Sequence, residues 1–163
     1  MSEFALALLV ALTGWWFSTG VILWLVHRNE RHHRTIFALA TATMLLAYYG
    51  VGTSVYQSTP QSVVLAFCLA LLLWGWLEMG YLMGFVTGPR KEACPLGAST
   101  ASRMRLGLRT CLWHELTLLV MVAVLAWLSW QQPNQTALWT FTVLWLMRWS
   151  SKLNLVLGVR NYN

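Results

Sequence analysis

The sequence is short of charged side chains. Only 10% of its 163 residues are charged and 58% are hydrophobic, whereas about a quarter of an ordinary soluble domain is charged. A soluble domain of this length cannot bury so much apolar surface in its own core. Acidic residues number 5 against 11 lysines and arginines, and the formal net charge is +6. The basic residues lie mostly between apolar runs, which is typical of membrane topology and not of a nucleic-acid-binding face.

Cysteine is also rare, and its spacing excludes two kinds of site. Cys68, Cys94 and Cys111 have neither paired nor CxxC spacing, so we expect no disulfide framework and no zinc site. At the amino terminus, Ser2 and Glu3 precede the first apolar run where a signal peptide would have basic residues. No small-residue cleavage site follows that run, so we expect no cleavable signal peptide.

Long apolar runs dominate the rest of the chain. A helix needs about 20 mostly apolar residues to cross the hydrocarbon core, and it satisfies its own backbone hydrogen bonds there. The sequence therefore predicts an all-α fold, a polytopic integral membrane bundle that forms a single transmembrane domain over residues 1–163. The five predicted spans cover residues 4–26, 36–56, 63–86, 108–130 and 136–159.

Basic residues occur in every second connector. The connectors 27–35 and 88–107 are basic, whereas 57–62 and 131–135 hold no charge. The positive-inside rule then predicts an amino terminus outside and a carboxyl terminus in the cytoplasm. We interpret 88–107 as a solvated basic loop, and expect both basic loops to contact anionic lipid or partner surfaces. The residues concerned are Arg28, Arg31, Arg34, Arg90, Lys91, Arg103 and Arg105.

Ionisable and polar side chains recur at one depth within three predicted spans. This polar cluster consists of Glu78 in the third span, His114 and Glu115 in the fourth, and Arg148, Lys152 and Asn154 in the fifth. At a rise of 1.5 Å per residue, it lies roughly 10 Å from the cytoplasmic ends. Charged groups inside a membrane are costly and are therefore candidates for function. We expect the two carboxylates to meet the two cations, so that these three spans pack together.

Four roles for the polar cluster remain open. The first is an ion-pair and hydrogen-bond network that fixes helix register. In the second, His114 is the axial ligand of a chlorophyll magnesium or a haem iron, because a neutral imidazole offers a nitrogen to a metal. A catalytic or di-metal site is the third, but it needs more ligands than Glu78, His114 and Glu115. The fourth is a proton or ion path, for which the outer half of the bundle offers few ionisable groups. The sequence predicts no catalytic residue and no metal site.

Small residues recur near the end of the third predicted span. Gly75, Gly80, Gly84 and Gly88 lie in or just past it, the last three at four-residue spacing. Small residues at this spacing let helices approach closely. The pattern predicts close packing of another helix at this point.

Four strings spread over essentially the whole chain form a distinctive set. They are GWWFSTGVILWL, LLLWGWLEMGYLMGFVTGPRK, WHELTLL and PNQTALWTFTVLWLMRWSSKLNLVLGVRN. Together they resemble the PuhE family, photosynthetic complex assembly proteins of purple and related phototrophic bacteria. The resemblance implies a multi-pass protein of the bacterial inner (intracytoplasmic) membrane. It also implies a role in building or maintaining the reaction-centre and light-harvesting apparatus. The family pattern continues past the GVRN string with a further carboxyl-terminal portion.

Two functional hypotheses follow from these observations. The first is a non-enzymatic assembly factor or accessory subunit that packs its helices against pigment-protein helices. Its partners would be membrane lipids and the reaction-centre and antenna subunits, with no nucleic acid. The alternative is a protein that binds or delivers bacteriochlorophyll, or a membrane partner of a pigment-biosynthesis enzyme. His114 would then be the pigment ligand, and bacteriochlorophyll or carotenoid the cofactor. A transporter ranks third, because five spans do not divide into two related halves.

Overall fold

Helices make up nearly all of the chain that the structure describes. The computed structural model describes residues 3–88 and 97–158, with side chains as far as Leu153, and these residues form no strand. Its helices are α1 (Glu3–Val26), α2 (His33–Ser54), α3 (Pro60–Leu82), α4 (Thr100–Thr110), α5 (Leu112–Leu128) and α6 (Thr136–Gly158). A short 3-10 turn, Glu30–His32, leads into α2. The all-α prediction is confirmed for these residues.

Fewer helices than predicted are apolar enough to cross a membrane on composition alone. Three described stretches meet that requirement: Phe4–Val26, Glu30–Ser54 and Pro60–Leu82. The bent pair α4 and α5 raises the number to four if it forms one span. The fifth predicted span corresponds to α6, which has sufficient length but in which charged and hydroxyl side chains interrupt the apolar residues.

The basic loop predicted over 88–107 is partly wrong, because α4 begins at Thr100. The Ser99 side chain caps this helix by accepting a hydrogen bond from the Ser102 N–H at 3.3 Å. Arginine is a good helix former, so basic residues did not identify a loop here. The helix stops at Thr110, whose carbonyl accepts from the Gly88 N–H at 2.7 Å. The chain then turns by 63° into α5, inside what the sequence predicts as one continuous span.

The third helix ends earlier than predicted, at Leu82, because of a glycine cap. Gly84 has a φ of +80°. The Phe85 N–H bonds to the Gly80 carbonyl at 2.8 Å and the Gly84 N–H to the Tyr81 carbonyl at 3.1 Å. This is a Schellman motif, which glycine favours because it adopts positive φ without strain.

The four-residue glycine pattern is therefore not one packing stripe. Gly80 lies against α2, where an added Cβ would come within 3.1 Å of the Phe37 ring. Gly84 is the helix cap, with open space around it. Gly88 lies against the end of α4, where a Cβ would meet the Arg109 carbonyl oxygen at 1.9 Å. Close packing is present at two of the three positions, but against different elements.

Helix α3 is the centre of the bundle and contacts α1, α2, α5 and α6. Its Leu73 and Leu77 are fully buried together with Leu118, Leu125 and Phe141 from α5 and α6. The Trp74 and Phe141 rings meet edge to face with centroids 5.3 Å apart, an arrangement that aromatic pairs prefer. By contrast, α1 lies on the outside of α3 with most of its large apolar side chains exposed.

Three helices run in the same direction. A Cβ on Gly14 would contact Phe67, and one on Gly75 would contact Ile22, so residue numbers rise together along α1 and α3. The contacts of Trp74 with Phe141 and of Glu78 with Arg148 show the same for α3 and α6. This parallel arrangement places the carboxyl ends of α1, α3 and α6 at one end of the bundle.

The uncharged connectors meet at the opposite end of the bundle through Asn134, which is 3% exposed. Its Nδ2 donates to the carbonyls of Ser54 at 3.1 Å and Ser62 at 3.2 Å. Its backbone N–H donates to the Val55 carbonyl at 3.1 Å, and its Oδ1 accepts from the Thr136 N–H at 3.1 Å. One amide side chain thus satisfies backbone groups at the end of α2 and in the first turns of α3 and α6. The two ends of the bundle therefore differ, since one has uncharged connectors and the other carries the basic connectors.

Candidate functional site

The polar cluster resolves into two ion pairs that α6 makes with two different helices. Arg148 Nη1 donates to both carboxylate oxygens of Glu78 on α3, and Lys152 Nζ pairs with the carboxylate of Glu115 on α5. The side chains of the first pair are 18% and 14% exposed. Both carboxylates therefore have a cation, and the four groups are neutral together. The pairs tie α6 to α3 and to α5 at one level of the bundle.

Helical spacing explains why one helix can reach both partners. Trp145, Arg148 and Lys152 lie at positions i, i+3 and i+7 of α6, so they share one face. The Trp145 Nε1–H donates to the Glu115 carboxylate at 3.4 Å, on the same acid that Lys152 pairs with. This carboxylate therefore has two donors from α6.

Tyr81 joins the two sides of the cluster. It lies three residues after Glu78 on α3, and the Arg148 guanidinium carbon is 5.0 Å from its ring centroid. The same ring faces His114 at 4.8 Å between centroids, and its hydroxyl lies 3.5 Å from Cys111 Sγ. A cation over an aromatic face contributes roughly 0.5–2 kcal/mol depending on solvation. Tyr81 thus gives Arg148 a second stabilising contact besides Glu78.

His114 is enclosed by the bundle. Its exposed fraction is 0%, and neither ring nitrogen has a hydrogen-bond partner within the described part of the chain. An axial ligand needs an open face large enough for a macrocycle, and no such face adjoins this imidazole in the structure. The helices would have to separate before His114 could bind a pigment.

Within residues 3–88 and 97–158, no group of three His, Cys, Asp or Glu side chains lies close enough to hold a metal ion. Glu78 and Glu115 each have a cation as partner. The geometry supports a positioning role for these groups.

Of the remaining predicted site residues, those that the structure describes in full lie at the basic end of the bundle. Arg28 stacks over the Trp24 ring with its guanidinium carbon 4.0 Å from the centroid. Arg31 lies in the short turn before α2, and Arg34 in the first turn of α2. Arg103 and Arg105 lie on α4 instead of in a loop. Arg90 and Lys91 lie outside the described residues. Asn154 belongs to α6, but its side chain lies outside the described part.

Comparison with known proteins identifies the family. A family model, described as a protein of unknown function (DUF3623), matches residues 1–163. The chain belongs to the DUF3623 family. It is 38% identical over 163 residues to an uncharacterized 30.4 kDa protein in the puhA 5' region of Rhodobacter capsulatus. That alignment covers 95% of this chain and 59% of the relative, so the chain spans less than two thirds of the relative's length. No solved structure matches this DUF3623 protein.

Sequence reasoning missed three residues that organise this DUF3623 chain. Tyr81 and Trp145 are recognisable only once Glu78 and Arg148 are known to pair, because each lies one turn from a charged residue on the same helix. Asn134 sits in the QQPNQ connector, where an asparagine more often marks an exposed turn. A polar side chain in a tight outer connector gave no signal that it would be buried.

Proposed function

We propose that this DUF3623 protein is a multi-pass protein of the bacterial inner membrane. Apolar exposure supports the proposal: Phe4, Trp16 and Phe17 on α1 are each at least 70% exposed. Apolar patches of this extent are rare on soluble monomers, and bilayer hydrocarbon would cover them. The uncharged connectors at one end of the bundle and the basic connectors at the other fit an orientation with the basic end in the cytoplasm.

Within that membrane, the protein acts as a non-enzymatic assembly factor or accessory subunit of the photosynthetic reaction-centre and light-harvesting complex. The observation that carries this proposal is the 38% identity to a protein encoded beside puhA, a photosynthesis gene region. The PuhE resemblance of the span strings points the same way. A bundle whose polar groups pair with one another supports a structural role better than a catalytic one.

Each ion pair has a part in this proposal. A helix interrupted by charges is weakly held in hydrocarbon, and pairing with Glu78 and Glu115 lowers the cost of placing α6 there. Interactions between paired side chains also select one register of α6 against α3 and α5. A fixed register would present the outer faces of the bundle to a partner helix in one arrangement.

Two experiments test the proposal in a phototrophic host. Carbonate extraction of membranes should leave the protein in the pellet, and release into the supernatant would contradict membrane insertion. An in-frame deletion should lower the absorption of assembled reaction-centre and antenna complexes, while free bacteriochlorophyll is still made. Complementation with the intact gene should restore the complexes. Unchanged complex absorption would contradict the assembly role, and loss of the pigment itself would favour pigment synthesis or delivery.

A further inference from the structure

A groove with a volume of about 380 Å³ runs between α1, α3 and α6. Its walls include Trp15, Ser18 and Ile22 from α1, Trp74 and Glu78 from α3, and Arg148 from α6. On each helix the lining positions are three or four residues apart, so they form one continuous face. The Glu78–Arg148 pair therefore borders this groove, whereas the Glu115–Lys152 pair, which links α6 to α5, is not part of its lining.

The groove has a direction, because the three helices run parallel. Trp15 and Trp74 lie at one end, and Leu82 and Ser151 lie at the other, which is the basic end of the bundle. From Trp74 to Leu82 the helix rises about 12 Å. One leaflet of the hydrocarbon core is about 15 Å deep. The groove is therefore nearly as long as one leaflet is deep. An alkyl chain that lies in it would contact the protein through most of that leaflet.

Donors without partners lie towards the basic end of the groove. Arg148 donates to Glu78 through Nη1, and its Nε has no hydrogen-bond partner within the described residues. The hydroxyl of Ser151 is likewise without a partner in that part of the chain. Polar hydrogens in hydrocarbon are costly when they have no acceptor. An occupant with ester or phosphate oxygens at this level would supply acceptors.

Charge favours an anionic head group at the basic end. The groove itself is neutral, with one carboxylate and one guanidinium. The connector that follows α1 carries three arginines, Arg28, Arg31 and Arg34, and one acid, Glu30. Its formal net charge is therefore three minus one, or +2. A phosphate placed beyond the groove at this end would be close to these arginines, and charge-assisted contacts of this type are strong.

We propose that the groove binds one acyl chain of an anionic phospholipid. An ester carbonyl accepts from Ser151 and Arg148, and the phosphate lies against the arginines of the α1–α2 connector. The chain runs from there towards Trp15 and Trp74. This inference rests on the proposed membrane location and is independent of the proposed partner complex.

The test fills the groove without changing the ion pair. Ser18→Trp places an indole in the groove, and Gly20→Trp is the matched control on the same helix. Positions 18 and 20 are about 200° apart around the helix axis, and a Cβ on Gly20 meets nothing within 4 Å. Each protein is purified in the same mild detergent, and the bound lipid is measured by phosphate assay and mass spectrometry.

The wild-type protein and Gly20→Trp should retain stoichiometric anionic phospholipid, and Ser18→Trp should lose it. Equal retention by the two variants would overturn the proposal, as would a quinone or pigment that Ser18→Trp displaces instead of a phospholipid. Carbonate extraction of the wild-type protein, run in parallel, separates failure of the membrane location from failure of the groove.

A second variant tests the head-group contact and does not depend on the tryptophan substitution. Arg28→Gln, Arg31→Gln and Arg34→Gln are combined in one protein, where the connector is exposed and the bundle core is untouched. The preference of the bound lipid for anionic over zwitterionic species should be lost. An unchanged preference would overturn the assignment of the phosphate to these arginines.

Discussion

Replacing Arg148 by methionine tests whether the Glu78–Arg148 pair is a desolvated contact that holds α6 against α3. The two side chains are 18% and 14% exposed, so Arg148→Met would leave a mostly buried carboxylate without a cation. Breaking a buried pair from one side costs roughly 3–5 kcal/mol. Discounting for the remaining exposure, we expect a loss of about 2–3 kcal/mol in the free energy of unfolding. Loss of the contact with the Tyr81 ring adds about 0.5 kcal/mol or more.

The double substitution separates pairing from packing. Glu78→Met alone should also destabilise by about 2 kcal/mol, because it leaves the guanidinium unpaired. Glu78→Met combined with Arg148→Met should be within about 1 kcal/mol of wild type, since apolar side chains often replace a buried pair without loss. The coupling energy is then about 3 kcal/mol or more. Arg105→Met, at an exposed position of α4, is the control and should change stability by no more than about 0.5 kcal/mol.

Reversible unfolding in mixed micelles of mild detergent and sodium dodecyl sulfate provides the measurement. The chain carries 11 tryptophans, so intrinsic fluorescence reports the transition. Additive losses, in which the double variant is as unstable as the two single variants summed, would refute the reasoning. The pair would then behave as two independent solvated charges.

Three further predictions use the same unfolding assay. Asn134→Leu should destabilise by about 2–3 kcal/mol, because it leaves several buried backbone groups without partners. Gln57→Leu, at an exposed position, is the control. Equal effects of the two substitutions would contradict the role given to the Asn134 hydrogen bonds. Gly88→Ala should lower the free energy of unfolding by about 1–3 kcal/mol through overpacking against α4. Its control, Gly107→Ala, has open space around it and should be neutral or stabilising. A neutral Gly88→Ala would show that the contact is not formed. His114→Leu should be neutral or stabilise by up to about 1 kcal/mol, because the buried imidazole has no hydrogen-bond partner among the described residues. The absorption spectrum of the purified protein should not change, and loss of a pigment band would establish a ligand role.

The helical content of the chain could be predicted from its apolar runs, but the ends and breaks of helices depended on local detail. Hydropathy does not show whether Gly84 ends a helix or packs against a neighbouring one. That difference depends on the positive φ that only the folded chain reveals. Nor does hydropathy locate the 63° turn before α5. At this turn the Gly88 N–H bonds to the Thr110 carbonyl, a contact between residues far apart in sequence.

The members of the polar cluster could be predicted from the cost of charge in apolar segments, but their pairing could not. Opposite charges at one depth allow either carboxylate to meet either cation. The rotation of each helix about its axis decides which carboxylate meets which cation. That rotation is set by packing in the core around Leu77 and Phe141. The burial of His114 follows from the same rotation, so its availability to a pigment could not be judged from the sequence. Helix α4 was missed because arginines were interpreted only as topology signals.

Purification of the tagged protein from phototrophically grown cells tests the central claim most directly. Membranes are solubilised in a mild detergent, and the co-purifying polypeptides are quantified together with the absorption spectrum. The proposal predicts reaction-centre or antenna polypeptides in a fixed ratio to the tagged chain, with their pigments bound to them. Free pigment on the tagged chain without those polypeptides would contradict a structural role in the photosynthetic complex.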